Sequence, residues 1–265
     1  MRDRARSIGR RMKAGGAAAC LAALAALLGP STAHGQRRPF FIGERLTYQV
    51  HVSKLGNVGR GSMWVEGPME LRGTSAFVLH FDFQTRVGPV KAVNRSESWI
   101  DPLRMRALRF VKHERHPLAK HDERVELFPE QRRWEGLAGE SGESPTDLPL
   151  DELSFMYFLR TVPLDADSVY GFDRHFDALR NPVGVKVIRR ETIETEAGQF
   201  AAVLIEMRVR DPRRYRGEGV IRIHFSDDER RLPVRIESSM PVLGKAVLSL
   251  ETFNAQPREV ADSTP

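Results

Sequence analysis

The chain has 265 residues, with 41 Lys and Arg against 35 Asp and Glu, a formal net charge of +6 and a single cysteine. Six of the basic residues and one acidic residue, Asp3, fall in the first 33 positions, so positions 34–265 carry 35 basic and 34 acidic side chains. Such a near-neutral, mixed-sign remainder excludes the concentrated basic face that a nucleic-acid partner requires.

The surplus charge belongs to an export pattern. Arg2, Arg4, Arg6, Arg10, Arg11 and Lys13 lead into an apolar run from Ala17 to Leu28, followed by the small residues Ser31, Ala33 and Gly35. A basic start, a short apolar run and small residues at a cleavage site make a secretory signal. The run falls short of the ~20 apolar residues of a membrane helix. The sequence therefore predicts a signal peptide over 1–33, cut after Ala33 or Gly35. Cys20 lies inside the apolar run, whereas a lipidated cysteine would follow it, so Cys20 reads as an apolar filler. The exported part then has no disulfide and no thiol chemistry.

From Glu44 the pattern alternates, with Leu46, Tyr48, Val50 and Val52 on one face and Thr47, Gln49 and His51 on the other. Period two marks a strand with one wet side. Gly56, Gly59 and Gly61 mark a turn, and Ser62–Glu66 returns. Thr74–Arg86 places Phe77, Leu79, Phe81 and Phe83 on one face. Further strands are expected at Lys91–Ile100, Met105–Lys112 and Glu123–Leu127. Residues 136–149, rich in Gly, Ser, Glu and Pro, read as a polar loop between halves 40–135 and 150–255 of one β-rich domain.

The period then changes. Asp151–Arg160 carries Leu153, Phe155, Met156, Tyr157, Phe158 and Leu159, with Asp151 or Pro149 suited to start a helix. Apolar residues cover more than half of its circumference, which predicts a helix buried on most sides, lying on the concave face of the sheet. Strands resume at Val183–Glu191, Phe200–Arg208, Gly219–Phe225, Leu232–Ser238 and Lys245–Phe253, with a hairpin turn at Gly198. Positions 256–265 are polar and read as a disordered tail. The fold expected is mainly β: a curved antiparallel sheet, open or partly closed into a barrel, with a buried helix in its concavity. That architecture is similar to the lipoprotein-carrier fold.

One series of residues is recognisable. Phe41-Ile-Gly-Glu-Arg-Leu-Thr-Tyr48 is followed by Leu150-Asp-Glu-Leu-Ser-Phe-Met-Tyr-Phe-Leu-Arg160, Glu191 and Ala197-Gly198-Gln-Phe200. Ile223-His-Phe-Ser-Asp-Asp228, Arg231-Leu-Pro-Val234 and Gly244 complete it. In order and spacing, from about residue 39 to 254, the series resembles the bacterial exported family known as domain of unknown function 3108. It departs at His224-Phe225, where a tryptophan would be expected. The resemblance implies an envelope location and a β-rich domain, and supplies no activity and no catalytic residues.

No catalytic constellation stands out. His113, His116 and His121 with Glu114 and Asp122 are the densest set of metal-ligand types. In an extended segment His113 and His116 face opposite ways, and Lys112, Arg115 and Lys120 would repel a cation, so no metal site is expected. Asp165, Asp167 and Asp173 fail the calcium-loop pattern, which needs Gly at its sixth position and an acid at its twelfth, where Tyr170 and Phe176 stand. Asp227 and Asp228 read as turn residues paired with arginine, and Gly56–Gly61 as a hairpin without the helix a phosphate cradle needs. No cofactor is expected.

The aromatics are the candidate site. Tyr48, Trp64, Phe81, Phe83, Phe155, Met156 and Phe158 are expected either to fill an ordinary core or to line an apolar cavity between sheet and helix. The function expected is non-enzymatic binding of a lipid, lipoprotein acyl chain or other apolar ligand by a periplasmic or secreted protein of a Gram-negative-type bacterium. The competing expectations are an envelope protein partner, held at a sheet edge or outer face, and a hydrolase with a spatially assembled site.

Overall fold

A computed structural model of the protein describes residues 39–87, 90–116, 119–210, 218–240 and 244–254. The signal peptide expected over 1–33 and the tail expected over 256–265 lie outside these residues. In chain order the described strands are β1 (Arg45–Val52), β2 (Gly56–Leu71), β3 (Thr74–Val87), β4 (Val90–Asp101), β5 (Arg106–His116), β6 (Ala119–Phe128), β7 (Arg133–Gly136) and β8 (Ser141–Glu143). After the helix α1 (Glu152–Leu159) come β9 (Val169–Phe172), β10 (Val183–Thr195), β11 (Gly198–Arg210), β12 (Glu218–Ser226), β13 (Pro233–Met240) and β14 (Gly244–Asn254).

All fourteen strands lie in one antiparallel sheet in the order 8-7-6-5-4-3-2-1-14-13-12-11-10-9. Each strand pairs with its neighbour in sequence, and the two runs are stitched together by β1 against β14. The sheet is an open meander with β8 and β9 at its edges. Its curvature follows from the pattern of burial. Val50, Leu248, Ile236, Ile223, Ile205 and Val187 stand directly opposite one another across β1, β14, β13, β12, β11 and β10. All six are buried. One continuous apolar row over six strands is hidden from water when the sheet curls around it.

Gly59 on β2 answers a local crowding problem. A Cβ added there would collide with the main-chain carbonyl of Gln84 on β3. Gly59→Ala is therefore expected to cost about 1–3 kcal/mol in urea denaturation. Gly171→Ala on β9, where the nearest atom is 3.9 Å from the added Cβ, serves as the tolerated control. Equal midpoints for the two variants would refute this reading of Gly59.

Helix α1 starts where the polar and apolar patterns meet. The Asp151 carboxylate accepts hydrogen bonds from the backbone N–H groups of Leu153 and Ser154, and the Ser154 hydroxyl accepts from the Asp151 N–H, each at 2.9 Å. This reciprocal cap satisfies donors that a helix start leaves free. Leu153, Phe155, Tyr157 and Leu159 are buried and Met156 and Phe158 half-buried, as expected of a helix apolar on most sides. The helix packs on β3 and β4, while Phe155 and Phe158 meet Phe172 of β9 edge-to-face at 5.9 and 5.2 Å. It thus spans the concavity between the two runs of the meander.

Three elements depart from expectation. The turn expected at Gly56, Gly59 and Gly61 falls earlier, at residues 53–55, and the three glycines are part of β2, paired with Val52, Val50 and Tyr48 of β1. The segment 136–149 contains β8, paired with β7, so the polar loop is partly a strand. Val169–Phe172 forms β9, which its four-residue length hid from the period-two search. Between them, Pro149–Asp151 acts as a strap. The Pro149 carbonyl accepts from Ala107 N–H at the start of β5, and Leu150 exchanges hydrogen bonds with Arg174 and Phe176. The strap links β5 to the segment after β9 at one end of the sheet.

Candidate functional site on the concave face

Strand register decides which of the aromatic candidates share a face. On β1, β2 and β3, Tyr48 stands opposite Gly61 and Gly61 opposite Phe83, while Leu46 stands opposite Met63 and Met63 opposite Phe81. These residues face the helix side of the sheet. Tyr48 is fully buried, and its hydroxyl donates to the Pro233 carbonyl at 2.9 Å. Burial, then the neighbouring Tyr157 and Glu44, hold the Tyr48 hydroxyl well above its ordinary pKa. Phe155 is also buried. Phe81, Phe83, Met156 and Phe158 are half-buried and pack against the core, and two residues absent from the sequence-based set, Tyr170 and Phe172 on β9, do the same. Six half-buried apolar side chains from β3, α1 and β9 thus occupy the concavity.

Trp64 is not brought to this group. It neighbours Met63 and Val65, which point inward, and stands on the convex face between two cross-strand partners. His80 stacks on it at 4.6 Å, and the Arg45 guanidinium lies 4.9 Å from its ring. Convex-face depressions of about 320 and 350 Å³ lie beside Trp64 and Trp99. The latter includes His113 and Asp122, paired at 2.7 Å across the β5–β6 hairpin and exposed. Among the described residues no three His, Cys, Asp or Glu side chains are grouped to hold a metal ion. Asp227 bonds Arg190 at 2.9 Å, and Asp228 caps the turn through Arg230 N–H at 3.0 Å.

The concave face changes character at one seam. Across β3, β4 and β5, Leu79 faces Ser98, which faces Phe110; Phe81 faces Ser96, which faces Lys112; and Phe83 faces Asn94, which faces Glu114. Apolar side chains line β3, and polar ones follow on β4 and the lower part of β5. The Lys112 ammonium lies 3.4 Å from Glu114 and 3.9 Å from Glu152, Asn94 donates to Glu114 at 3.2 Å, and Arg180 bonds Glu152 at 2.7 Å. This polar stripe was legible in principle. Asn94, Ser96 and Ser98 alternate along one strand, and Lys112 and Glu114 along the next, but without the register nothing says that these alternations face inward.

Both ends of α1 are fixed by buried polar groups. At its start the Ser98 hydroxyl donates to Asp151 at 2.6 Å. Burial pushes the Asp151 carboxyl up to about 6, against the lowering effect of the Ser98 and Ser154 hydrogen bonds. Nearby, burial and then Arg180 push His175 down to about 4. The His175 Nδ1 accepts from the Asp177 N–H at 3.0 Å, which assigns the proton of the neutral ring to Nε2. At the far end Arg160 grips Glu44 with two hydrogen bonds of 2.6 and 2.8 Å and donates to the Arg230 carbonyl. Burial would lower the Arg160 pKa, and Glu44 more than offsets that, leaving it raised.

Fold and site together define an open, barrel-like β-sheet protein with a helix seated in its concavity. The sequence from 47 to 251 matches the model of the protein family of unknown function DUF3108, and the chain belongs to that family. No curated protein matches it. Among solved structures it is similar to a β-barrel-like protein of domain of unknown function DUF1849 from Brucella abortus, at 11% identity and a TM-score of 0.55, covering 82% of this chain and 99% of the other. That likeness shows the fold alone. A protein with a YmcC-like fold from Bacteroides fragilis aligns at 14% identity, a TM-score of 0.33 and coverage of 82% and 98%. A hypothetical protein from Chlamydia trachomatis aligns at 10%, a TM-score of 0.36 and coverage of 84% and 92%. Among the described residues no helix is long and apolar enough to cross a membrane.

Proposed function

We propose that this is an exported envelope protein that binds a lipid, lipoprotein acyl chain or similar apolar ligand on its concave face and performs no catalysis. The observation that carries the reading is the set of half-buried apolar side chains Phe81, Phe83, Met156, Phe158, Tyr170 and Phe172 around one concavity. Apolar area left partly open around one concavity is area that an apolar ligand would cover on binding. The export reading rests on the signal-like composition of residues 1–33.

The test is native mass spectrometry of the protein purified from its envelope without detergent. A stoichiometric adduct of lipid mass is expected, and Phe83→Ser is expected to reduce its occupancy severalfold. Unliganded protein from a native preparation, combined with no uptake of lipid from vesicles, would overturn the proposal. A second reading, docking of an envelope protein, draws on the edge strand β9, where Val169 is 71% exposed and an extended partner could add a strand. It predicts crosslinks from position 169 to one envelope protein; their absence in cells counts against it.

A further inference from the structure

Arg174 is a half-buried cation that forms no ion pair among the described residues. Its place follows from β9, where Tyr170 and Phe172 stand opposite the buried Val185 and Val183 and so point inward. Arg174 comes next at the same period of two, and its guanidinium lies 4.4 Å from the ring centre of Phe158. Phe158 meets Phe172 at 5.2 Å, and Phe172 stacks on Tyr170 at 5.7 Å. All four side chains are half-buried. A continuous aromatic row in the concavity therefore ends on a positive charge.

The hydrogen bonds of Arg174 go to main-chain carbonyls. Its Nε donates to Leu148 at 3.0 Å, and Nη2 donates to Met105. The other terminal nitrogen, Nη1, bonds no group among the described residues. Burial pushes the Arg174 pKa down to about 10, against the raising effect of Asp147, an exposed carboxylate that makes no ion pair with it. The side chain is still cationic at neutral pH. Arg160 and Arg106, by contrast, reach Glu44 and Asp101 at 2.6 and 3.1 Å. Drawing a guanidinium from water without such a partner is costly, and an oxyanion on its remaining N–H groups offsets that cost. Resting on the apolar-ligand reading above, we infer that the ligand is an amphiphile with an oxyanion head, a carboxylate or a phosphate. The head sits on Nη1 of Arg174, and the chain runs along Phe158, Phe172 and Tyr170.

The experiment titrates lipid-stripped protein with tetradecanoic acid, tetradecyl phosphate and tetradecanol, each below its aggregation concentration, by calorimetry. At least one anion is expected to bind about tenfold or more tightly than the alcohol, and the tighter anion names the head. Arg174→Gln is expected to bring that ratio to within about threefold while leaving the alcohol unchanged. Phe172→Ser is expected to weaken all three. Equal affinities, or an alcohol that binds best, would overturn the inference about the head and leave the apolar-ligand reading standing. A preference for the anion that survives Arg174→Gln would overturn it too, because the head would then sit on another group. Failure of all three to bind would overturn the reading beneath it. The wild-type ranking decides the chemistry of the head even where a variant does not fold.

Discussion

Arg160→Met alone is expected to cost about 3–5 kcal/mol of unfolding free energy. Its side chain is 3% exposed and that of its partner Glu44 is fully buried, with two hydrogen bonds of 2.6 and 2.8 Å between them. Removing the guanidinium strands a carboxylate in a dry site, next to the rings of Tyr48 and Tyr157, where nothing replaces the lost donors. The Arg230 carbonyl loses a donor too. The same physics predicts strong non-additivity. Glu44→Leu is expected to be comparably damaging, because it strands the cation. The double replacement Glu44→Leu/Arg160→Met is expected to cost far less than the two losses combined, since neither charge is left behind. Urea denaturation of the four proteins measures this cycle. Single losses below about 1 kcal/mol, or losses that simply add, would mean that solvent reaches the pair and screens it. Because Arg160 follows α1 and Glu44 precedes β1, the pair also holds the helix over the sheet.

That pair illustrates what a linear reading reaches. Glu44 and Arg160 both lie in the residue series that carries the family resemblance, yet their meeting, 116 positions apart, is a product of the strand order. The strands themselves were readable because period-two alternation is forced on any sheet with one buried face. Leu46, Tyr48, Val50 and Val52 on β1, and Phe77, Leu79, Phe81 and Phe83 on β3, show it directly. The helix was readable because Asp151 and Ser154 form a cap that needs only local spacing. Facing was harder. Trp64 lies one position from Met63, and a one-residue shift in alternation sends a side chain to the opposite face; its aromatic character carried no information about which. The short β9 escaped because four residues hold two periods at most, so Tyr170 and Phe172 joined the concavity only once β9 was seen paired with β10. The inward polar stripe on β4 and β5 has the same alternation as a solvated face, and only register against Phe81 and Phe83 tells them apart.

Asp151→Asn and His175→Asn are expected to shift the pH dependence of stability in opposite directions. Asp151 is pushed up to about 6 from 3.8, so the folded state holds its proton more tightly than the unfolded chain. Its contribution is fully present below about pH 4 and is lost as pH rises through 6. His175 is pushed down to about 4 from 6.5, so the folded state resists its protonation. Its contribution is present above pH 6.5 and is lost as pH falls through 4. Each shift corresponds to about 3 kcal/mol, and the two nearly cancel over pH 4–6.5 in the wild-type protein. Asparagine at 151 keeps an acceptor for the Leu153 and Ser154 N–H groups, and asparagine at 175 keeps one for the Asp177 N–H. Relative to wild type, Asp151→Asn should therefore gain about 3 kcal/mol as pH rises from 4 to 7, and His175→Asn should lose about as much over the same range. The carboxylates held low by arginine, such as Glu206 by Arg222 and Glu126 by Arg109, lose their contribution under acid in all three proteins alike and drop out of the differences. Denaturation midpoints at half-unit intervals of pH supply the measurement. A pH-independent difference for either variant would show that its group titrates at its ordinary value, and that water reaches the strap between β5 and the segment after β9. The opposed slopes matter for the site because Asp151 follows Leu150 and His175 is Leu150's partner in the bridge that, with the Pro149 bond to Ala107, ties the start of α1 to both runs of the sheet.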